Sequence, residues 1–406
     1  MSTDAIQAKI KNLPPLPLVA HKLVSLMQQD DCSANDVTKL LCSDQALAGK
    51  VLKLANSSFY GLSGEVGSVS RAVVILGFSA IRSMALGLGV AQSIKKAARN
   101  LDLSYFWAHA LFVGSAARTL AVENGRVDPE EVFISGLIHD LGRLILELTV
   151  PGLDQQLADV PADRLLDAET TAAGMPHTKA GQKVMRHWNL PEALVELARF
   201  HHHPTNYRNQ EQSLNAFVQL GELMARALGQ SREPAPDDPD PAALAAHIGI
   251  SLTATEDLLA RTCQEVGRTR AFLEVSGVEL DYENPLAHLD LENPDPSLSG
   301  TAVYLGTCPE RAGWVNGQLG IQAWRTVSMR PFLGGEAGEV DLAIIDPRTI
   351  NTAQATKLNQ MLSPRGVRVV TLGPAAGLAA CLPGVPELPV GFQRSELLSL
   401  CGRVPA

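Results

Sequence analysis

The sequence predicts a multi-domain fold in which a long all-α part precedes a small α/β domain. Up to about residue 275, apolar residues recur at helical spacing, whereas after Gly300 short β-branched runs alternate with helical patterns. The chain has 406 residues, of which 46% are hydrophobic and 19% are charged. That composition supports more than one packed core and argues against a disordered chain.

Short helices are predicted across residues 5–96. The run from Val69 to Leu76 ends at Gly77, a residue suited to a helix C-cap, and a further helix follows from Ser79 to Ile94. Residues 72–91 form the most apolar stretch, but serines, an arginine and three glycines interrupt it. We therefore expect a buried helix pair here and no membrane span.

Helical periodicity continues through residues 101–275. The predicted helices are Tyr105 to Val122, Pro129 to about Leu148, Thr178 to Trp188, Pro191 to Phe200, Leu214 to Leu228, and further helices from Ala242 to about Val275. Residues 229–241 are polar and Pro-rich, which predicts an exposed loop. Residues 281–300 carry Asn-Pro, Asp-Pro and Ser-Gly pairs and are the clearest candidate for a domain linker.

Three strands are predicted after the linker, at residues 301–305, 340–345 and 367–372. Helical patterns lie between them, at residues 309–323 and 352–362. Strands that alternate with helices indicate βαβ units and a parallel sheet.

Charge, aromatic content and cysteine spacing exclude several classes. The formal net charge is −9 and only 5% of residues are aromatic, so we expect neither direct nucleic-acid binding nor a membrane-surface role. Six scattered cysteines without CxxC spacing argue against a disulfide framework and a cysteine zinc site. The N-terminal residues lack the pattern of a signal peptide, and we expect a cytoplasmic protein.

Histidines concentrate in the middle of the chain: seven of the ten lie between His109 and His203. Imidazole and carboxylate ligands suit Zn, Fe or Mn. His139 and Asp140 are adjacent, and neighbouring helix residues point about 100° apart. Both side chains can therefore reach one ion only at a helix end or kink.

Each histidine also has a structural interpretation. His109 alone on an amphipathic helix is more often a satisfied or exposed residue than a ligand, and the His139–Asp140 pair could be a hydrogen-bonded structural pair. We expect His187 to be structural and His203 to lie in a solvated turn. The joint occurrence of the motifs in this order favours a metal site.

These motifs resemble the HD superfamily of helical metal-dependent phosphohydrolases and, more closely, its signalling offshoot, the HDOD (HD-related output) domain. The matching residues are Leu13-Pro14-Pro15-Leu16-Pro17, Asp44-Gln45-Ala46-Leu47, Leu54-Ala55-Asn56-Ser57 with Tyr60, residues 72–77, Trp107-Ala108-His109, residues 136–142, Glu169 with Gly174 and His177, Trp188-Asn189-Leu190-Pro191, and His201-His202. The resemblance covers about residues 5–228. It implies two helical lobes, residues 1–98 and 99–280, before the linker at 281–300 and the α/β domain at 301–406.

The resemblance also implies a ligand set for divalent metal. The implied ligands are His109, His139 and Asp140 for a first ion, and His177, His201 and His202 for a second ion that Asp140 bridges to the first. We expect one or two ions of Fe, Mn, Zn or Mg, or none. HD enzymes carry a further Asp in a later helix, where this chain offers only Glu222. Arg143 stands where many of them have a lysine, and could still bind phosphate.

Three functions follow from the resemblance. The first is a non-catalytic signalling output or scaffold module that binds signalling proteins or a nucleotide second messenger such as a cyclic dinucleotide. It is favoured because HDOD domains are generally regulatory, and the Gly-Tyr-Pro signature of cyclic di-GMP hydrolases is absent after His203. The second is an HD-type metal-dependent phosphohydrolase acting on such a nucleotide, with Asp140 and Arg143 in catalysis. Burial of Glu222 against His109 would favour this enzyme.

The third function is a regulator driven by phosphorylation at Asp346. Residues 301–406 faintly resemble a receiver domain, with Asp346 after a strand in the phosphoacceptor position and Thr371 in the position of the switch hydroxyl. The acidic pair and the lysine of receivers are missing. The resemblance therefore implies a pseudo-receiver for docking or homodimerisation.

Overall fold

The computed structural model divides into two compact units, Met1–Glu222 with Thr262–Asn284, and Leu223–Arg261 with Pro285–Ala406. The residues described by the structure are 3–26, 32–98, 101, 103–157, 160, 162–202, 211–228, 230–231, 240–276, 300–321, 324–334, 338–362, 366–372, 378, 381–382, 384–388, 392 and 396–397. The predicted linker, except Gly300, and most of the loop at 229–241 lie outside these residues.

Fifteen of the described helices precede Gly300. They are α1 (Thr3–Lys11), α2 (Leu18–Leu26), α3 (Ala34–Cys42), α4 (Gln45–Ala55), α5 (Val69–Ala97), α6 (Ser104–Asn124), α7 (Pro129–Ile138), α8 (Leu141–Thr149), α9 (Leu153–Gln156), α10 (Ala162–Ala173), α11 (His177–His187), α12 (Glu192–Phe200), α13 (Glu211–Ala227), α14 (Pro241–Ile248) and α15 (Thr255–Ser276). The predicted all-α part is confirmed.

Helix α5 is bent at Gly77, as the sequence predicts. Gly77 has φ 79° and ψ 172°, a left-handed conformation that favours glycine, and it breaks the element into two helical halves. Among the described helices, α5 alone is long and apolar enough to cross a membrane by length and composition. However, 61% of its most apolar window is buried inside the protein, as expected for a core helix.

Helix α1 packs chiefly against α8 and α11, which lie far from it in sequence. The Thr3 hydroxyl donates to the carbonyl of Gly174 at 3.3 Å, and the Trp188 indole N–H donates to the carbonyl of Pro14 at 3.2 Å. The predicted first lobe, residues 1–98, therefore begins with a helix that belongs to the later helices of the same unit.

Two glycine contacts bring the central helices together. Helices α6 and α7 cross at Gly114 and Gly136, where a Cβ added to Gly136 would lie 2.7 Å from the Gly114 Cα. Helices α8 and α11 cross at Gly142 and Gly181, where a Cβ on Gly142 would lie 1.8 Å from the carbonyl oxygen of His177. Backbones this close leave no room for a side chain.

A charge network centred on Arg118 links α6, α7 and α15 inside the first unit. Arg118 donates to one carboxylate oxygen of Glu130 at 2.9 and 3.1 Å and to Glu265 at 2.5 Å. The Tyr60 hydroxyl donates to the other Glu130 oxygen at 3.1 Å. Since Glu130 is buried, these contacts offset the cost of removing its charge from water.

The second unit contains a five-stranded parallel sheet with strand order β2-β1-β3-β4-β5. Its elements are β1 (Thr301–Leu305), α16 (Pro309–Ile321), β2 (Arg325–Val327), α17 (Met329–Gly334), β3 (Leu342–Ile345), α18 (Thr352–Leu362), β4 (Arg368–Leu372) and β5 (Glu387–Leu388). The three predicted strands are confirmed. The two edge strands were not predicted, because three and two residues are too short for a period-2 pattern to show. The order is one of the two common strand orders of doubly wound folds.

Residues 223–261 group with the sheet, although the sequence placed them in the helical part at 99–280. Arg311 on α16 donates to the carboxylate of Asp240 at 3.0 Å. Gly313 allows α16 to pack on the backbone of Leu252 and Thr253, where a Cβ would lie 2.2 Å from the Leu252 carbonyl oxygen. These contacts join residues that are far apart in sequence. Helical periodicity alone therefore could not assign residues 223–261 to the unit that contains the sheet.

Candidate metal centre

A break between α7 and α8 presents His139 and Asp140 on the same side. The sequence predicted one helix from Pro129 to about Leu148, and this is wrong. Helix α7 ends at Ile138, and Asp140 has φ −100° and ψ 15° before α8 begins at Leu141. This bend supplies the kink that two adjacent ligands require.

The structure brings all of the predicted ligands into two neighbouring groups, here called the cluster. The first group is Asp140, His177, His201 and His202, and the second group is His109, His139 and Glu222. Within each group, one candidate ligand atom per residue lies within 4.8 Å of all the others. Six of the seven residues are buried in the described structure, and His202 is partly buried.

Asp140 faces both groups. Its Oδ1 lies 3.4 Å from His177 Nε2 and 3.5 Å from His201 Nε2, while its Oδ2 lies 3.8 Å from His139 Nε2. This placement agrees with the bridging role that the resemblance implies for Asp140.

Glu222 on α13 completes the second group. One of its carboxylate oxygens lies 3.0 Å from His109 Nε2 and 2.8 Å from His139 Nε2. Glu222 is buried against His109, an arrangement that favours an enzyme. His109 itself lies on α6. The ring of Tyr105, one turn earlier, stacks on the His109 ring with 6.2 Å between the ring centroids.

Outward hydrogen bonds fix the orientation of three imidazoles. His139 Nδ1 donates to the carbonyl of Gly136 at 2.6 Å, and His201 Nδ1 donates to the carbonyl of Ala198 at 3.0 Å. His177 Nδ1 donates to the carboxylate of Glu169 at 2.8 Å. In each ring Nε2 is therefore directed at the cluster, as in metal-binding histidines whose other nitrogen has an outer partner.

The cluster fits a divalent cation. His177 Nε2 and His201 Nε2 lie 3.2 Å apart. Since both Nδ1 atoms donate outward, two nitrogen lone pairs face each other across this gap unless a positive charge lies between them. Five imidazoles and two carboxylates form a nitrogen-rich donor set of the kind that Zn and Fe prefer.

Burial and charge act in opposite directions on the two carboxylates. Burial by itself raises the pKa of Asp140, but His139, His177 and Arg143 hold that pKa well below its usual value. Burial likewise raises the pKa of Glu222, and His109 and His139 hold it well below its usual value. Both carboxylates are therefore ionised, and each brings a negative charge to the cluster.

The histidines of the two groups differ. Burial lowers the pKa of His201 and lowers that of His202 strongly, so both imidazoles are neutral. Burial also opposes charge on His139, but Asp140 and Glu222 outweigh it and raise the pKa of His139. Neutral imidazole is the form that binds metal.

Two residues that contact the cluster were not predicted as site residues. The Gln219 amide donates to the carbonyl of His201 at 2.9 Å. Glu169 binds His177, eight residues later, at both the backbone N–H and the ring. In the sequence, Glu169 stands in a motif with Gly174 and His177, but the motif does not indicate which atoms Glu169 contacts.

The remaining candidates lie at or beyond the edge of the cluster. Arg143 pairs with Asp154 at 3.0 Å and lies 3.9 Å from Asp140, and its side chain is 13% exposed. His187 is exposed at the end of α11 and is not among the residues of the cluster. His203 lies outside the described residues.

The structure does not support phosphorylation at Asp346. Asp346 is fully buried, and its carboxylate accepts hydrogen bonds from the Tyr304 hydroxyl at 2.5 Å, Arg311 at 3.3 Å and the Arg348 backbone N–H at 3.0 Å. A phosphoryl donor would have to displace these contacts. Acetyl phosphate is therefore expected to leave the protein unlabelled in a phosphate-affinity gel.

Thr371 is also misplaced for a switch hydroxyl. In the register of β3 and β4 it pairs with Ile345, one residue before Asp346. Because neighbouring strand residues point to opposite faces, Thr371 and Asp346 lie on different faces of the sheet. The receiver resemblance of this unit is not established.

A family comparison matches a large part of the helical region. Residues 13–204 match the family model described as the HDOD domain. A protein of Treponema pallidum (strain Nichols), described as uncharacterized, is 24% identical over 228 residues, which are 55% of this chain and 44% of that protein. The match therefore spans less than half the length of this curated relative.

Two solved structures share the fold. A Marinobacter aquaeolei VT8 protein, provisionally described as a signal transduction protein, superposes with a TM-score of 0.52 at 22% identity over 68% of this chain and 65% of that chain. An HDOD domain protein of unknown function from Geobacter sulfurreducens superposes with a TM-score of 0.50 at 21% identity over 68% of this chain and 95% of that chain. The chain spans under two thirds of the Marinobacter protein.

Proposed function

We propose that this chain, whose residues 13–204 match the HDOD domain, is a cytoplasmic signal-transduction output module whose buried cluster holds divalent metal as a structural cross-link. The module would bind a signalling protein or a nucleotide second messenger, and it would act without catalysis. Five imidazoles disfavour Mg²⁺, so Zn, Fe or Mn would occupy the cluster.

The observation that carries this proposal is the number of helices that meet at the cluster. His109 comes from α6, the pair at 139–140 from the bend between α7 and α8, His177 from α11, the pair at 201–202 from the end of α12, and Glu222 from α13. An ion bound by these side chains would cross-link helices from three stretches of the chain, residues 104–149, 177–202 and 211–227. Such an ion adds its binding free energy to that of folding.

Removal of metal is expected to destabilise the first unit. At free metal 1,000-fold above the dissociation constant, binding contributes about 4 kcal/mol. That is about 8–16 °C in the unfolding midpoint of a unit of about 150–250 residues, the size range of the first unit. The measurement is metal content by mass spectrometry, followed by thermal unfolding before and after dialysis against a chelator and after Zn²⁺ is restored. The proposal would be contradicted if the purified protein contains no metal and if added Zn²⁺ or Mn²⁺ leaves its unfolding midpoint unchanged.

A second candidate is an HD-type phosphohydrolase, and the position of Glu222 favours it. Glu222 supplies the carboxylate that the sequence left in doubt, so a full set of ligands is present. Metal bound here would activate water and polarise a phosphoryl oxygen. Arg143, close to Asp140, would neutralise the phosphate, provided that it leaves Asp154.

Turnover separates the two candidates. The purified protein would be incubated with nucleoside phosphates and cyclic dinucleotides in the presence of Mn²⁺ or Fe²⁺, and products would be separated by chromatography. The structural proposal expects no product above a metal-only blank. Robust turnover that Asp140→Ala abolishes would establish the enzyme instead.

For the second unit we propose a docking or homodimerisation role as a pseudo-receiver. Its doubly wound strand order and the buried carboxylate of Asp346 support a unit that keeps the fold without phosphotransfer. Sedimentation equilibrium of the full chain tests the dimer, and a monomer at high micromolar concentration would exclude it.

A further inference from the structure

Glu169 on α10 makes three contacts to a single residue, His177. Its Oε2 accepts a hydrogen bond from the His177 backbone N–H at 2.8 Å, and both carboxylate oxygens lie 2.8 Å from His177 Nδ1. Glu169 is 3% exposed and His177 is 1% exposed. Burying an ionised carboxylate costs free energy unless hydrogen bonds or opposite charges compensate it. We therefore ask what each of these contacts contributes.

Helix capping explains only one of the contacts. His177 is the first residue of α11, and the preceding Pro176 gives no side-chain cap, so the carboxylate replaces the missing N-cap. The contact to Nδ1 does not contribute to the cap. It requires the ring proton on Nδ1, because an ionised carboxylate accepts hydrogen bonds and cannot donate them.

We propose that Glu169 is a positioning residue that keeps the proton of His177 on Nδ1 and so directs the Nε2 lone pair at Asp140 and His201. This inference rests on the proposed function, in which the cluster holds metal. A carboxylate behind a histidine orients the ring and raises its basicity as a ligand. The Nδ1 atoms of His139 and His201 are held by backbone carbonyls, which a mutation cannot remove. The Nδ1 atom of His177 is held by a side chain, which a mutation can change.

The test is Glu169→Gln, which keeps the shape and removes the charge. The amide oxygen can still accept from the His177 backbone N–H, so the start of α11 is retained. The amide N–H₂ takes the place of Oε1, 2.8 Å from Nδ1, where it opposes a second N–H. The ring is therefore expected to favour the tautomer with its proton on Nε2, where that proton points at Asp140. We expect Zn²⁺ affinity, measured by competition with a chromophoric chelator, to fall about 10–100-fold.

A direct measurement accompanies the affinity. Long-range ¹H–¹⁵N correlation spectra of chelator-treated protein with ¹⁵N-labelled histidine report which ring nitrogen carries the proton. His177 is assigned by the signal lost in His177→Gln. We expect the Nδ1–H tautomer in the wild type and the Nε2–H tautomer in Glu169→Gln. The unfolding midpoint of the chelator-treated variant should differ little from that of the wild type.

Glu130→Gln is the matched control, because Glu130 is also a buried carboxylate that binds a neighbour's N–H groups. It should lower the unfolding midpoint and leave the Zn²⁺ affinity unchanged. Affinity within twofold of wild type in Glu169→Gln, or the Nε2–H tautomer in the wild type, would overturn the inference. If the wild type binds no metal, the proposed function fails, but the tautomers of the metal-free proteins still decide the role of Glu169.

Discussion

Asp140→Asn is expected to reduce Zn²⁺ affinity by more than about 100-fold, because loss of a ligand costs more than loss of an outer partner, which costs about 10–100-fold. Asp140 is the carboxylate that faces both groups of the cluster, with one oxygen toward His177 and His201 and the other toward His139. Asparagine offers one weaker oxygen and directs an N–H₂ group at the remaining nitrogens. Both groups should therefore lose metal together.

The measurement is metal stoichiometry after gel filtration, together with a Zn²⁺ titration by calorimetry. The control is Asp154→Asn, which removes an exposed carboxylate whose described partner is Arg143 and which should bind metal as the wild type does. A variant at Asp140 that retains one full equivalent of tightly bound metal would show that the two groups fill independently. Retention of two equivalents would show that Asp140 is no ligand.

The histidines and Asp140 could be predicted because ligand chemistry restricts residue types and because their order resembles a family. The contact made by Glu169 could not, since it depends on how α10 and α11 are placed, and spacing along the chain does not encode that placement. Glu222 was named only as the one carboxylate near an expected position. Its distance of 2.8 Å from His139 depends on the placement of α13, whose Gly221 lies against Val113 and Ala116 of α6.

The same distinction, between local sequence signals and contacts between distant segments, decides which fold elements could be predicted. The bend of α5 at Gly77 was predictable, because glycine there is a local signal that no contact has to supply. The break at Asp140 was not predicted, since residues 129–148 keep a continuous helical pattern and only the φ and ψ of Asp140 show the interruption. Likewise, the grouping of residues 223–261 with the sheet depends on Arg311 and Gly313, which lie about 50–90 residues away.

The largest effect on stability is expected from Gly142→Ala. A Cβ at Gly142 would lie 1.8 Å from the carbonyl oxygen of His177 and 2.6 Å from the backbone nitrogen of Gly181. Real Cβ atoms do not approach other atoms so closely, and the clashing atoms are backbone, so no rotamer change relieves them. Overpacking of a core typically costs about 1–3 kcal/mol and occasionally more, and we expect this substitution to exceed about 3 kcal/mol.

The same clash should weaken metal binding, because α11 must move away from α8 and it carries His177 at the point of contact. We expect the first thermal transition to fall by about 6–12 °C or more, and Zn²⁺ affinity to fall in the protein that remains folded at low temperature. Gly49→Ala is the control: Gly49 lies inside α4, and a Cβ there would meet nothing within 4 Å. It should stabilise the protein by about 0.4–1 kcal/mol. Equal midpoints for the two variants would mean that α8 and α11 do not cross at Gly142, and the arrangement of His177 beside Asp140 would lose its structural basis.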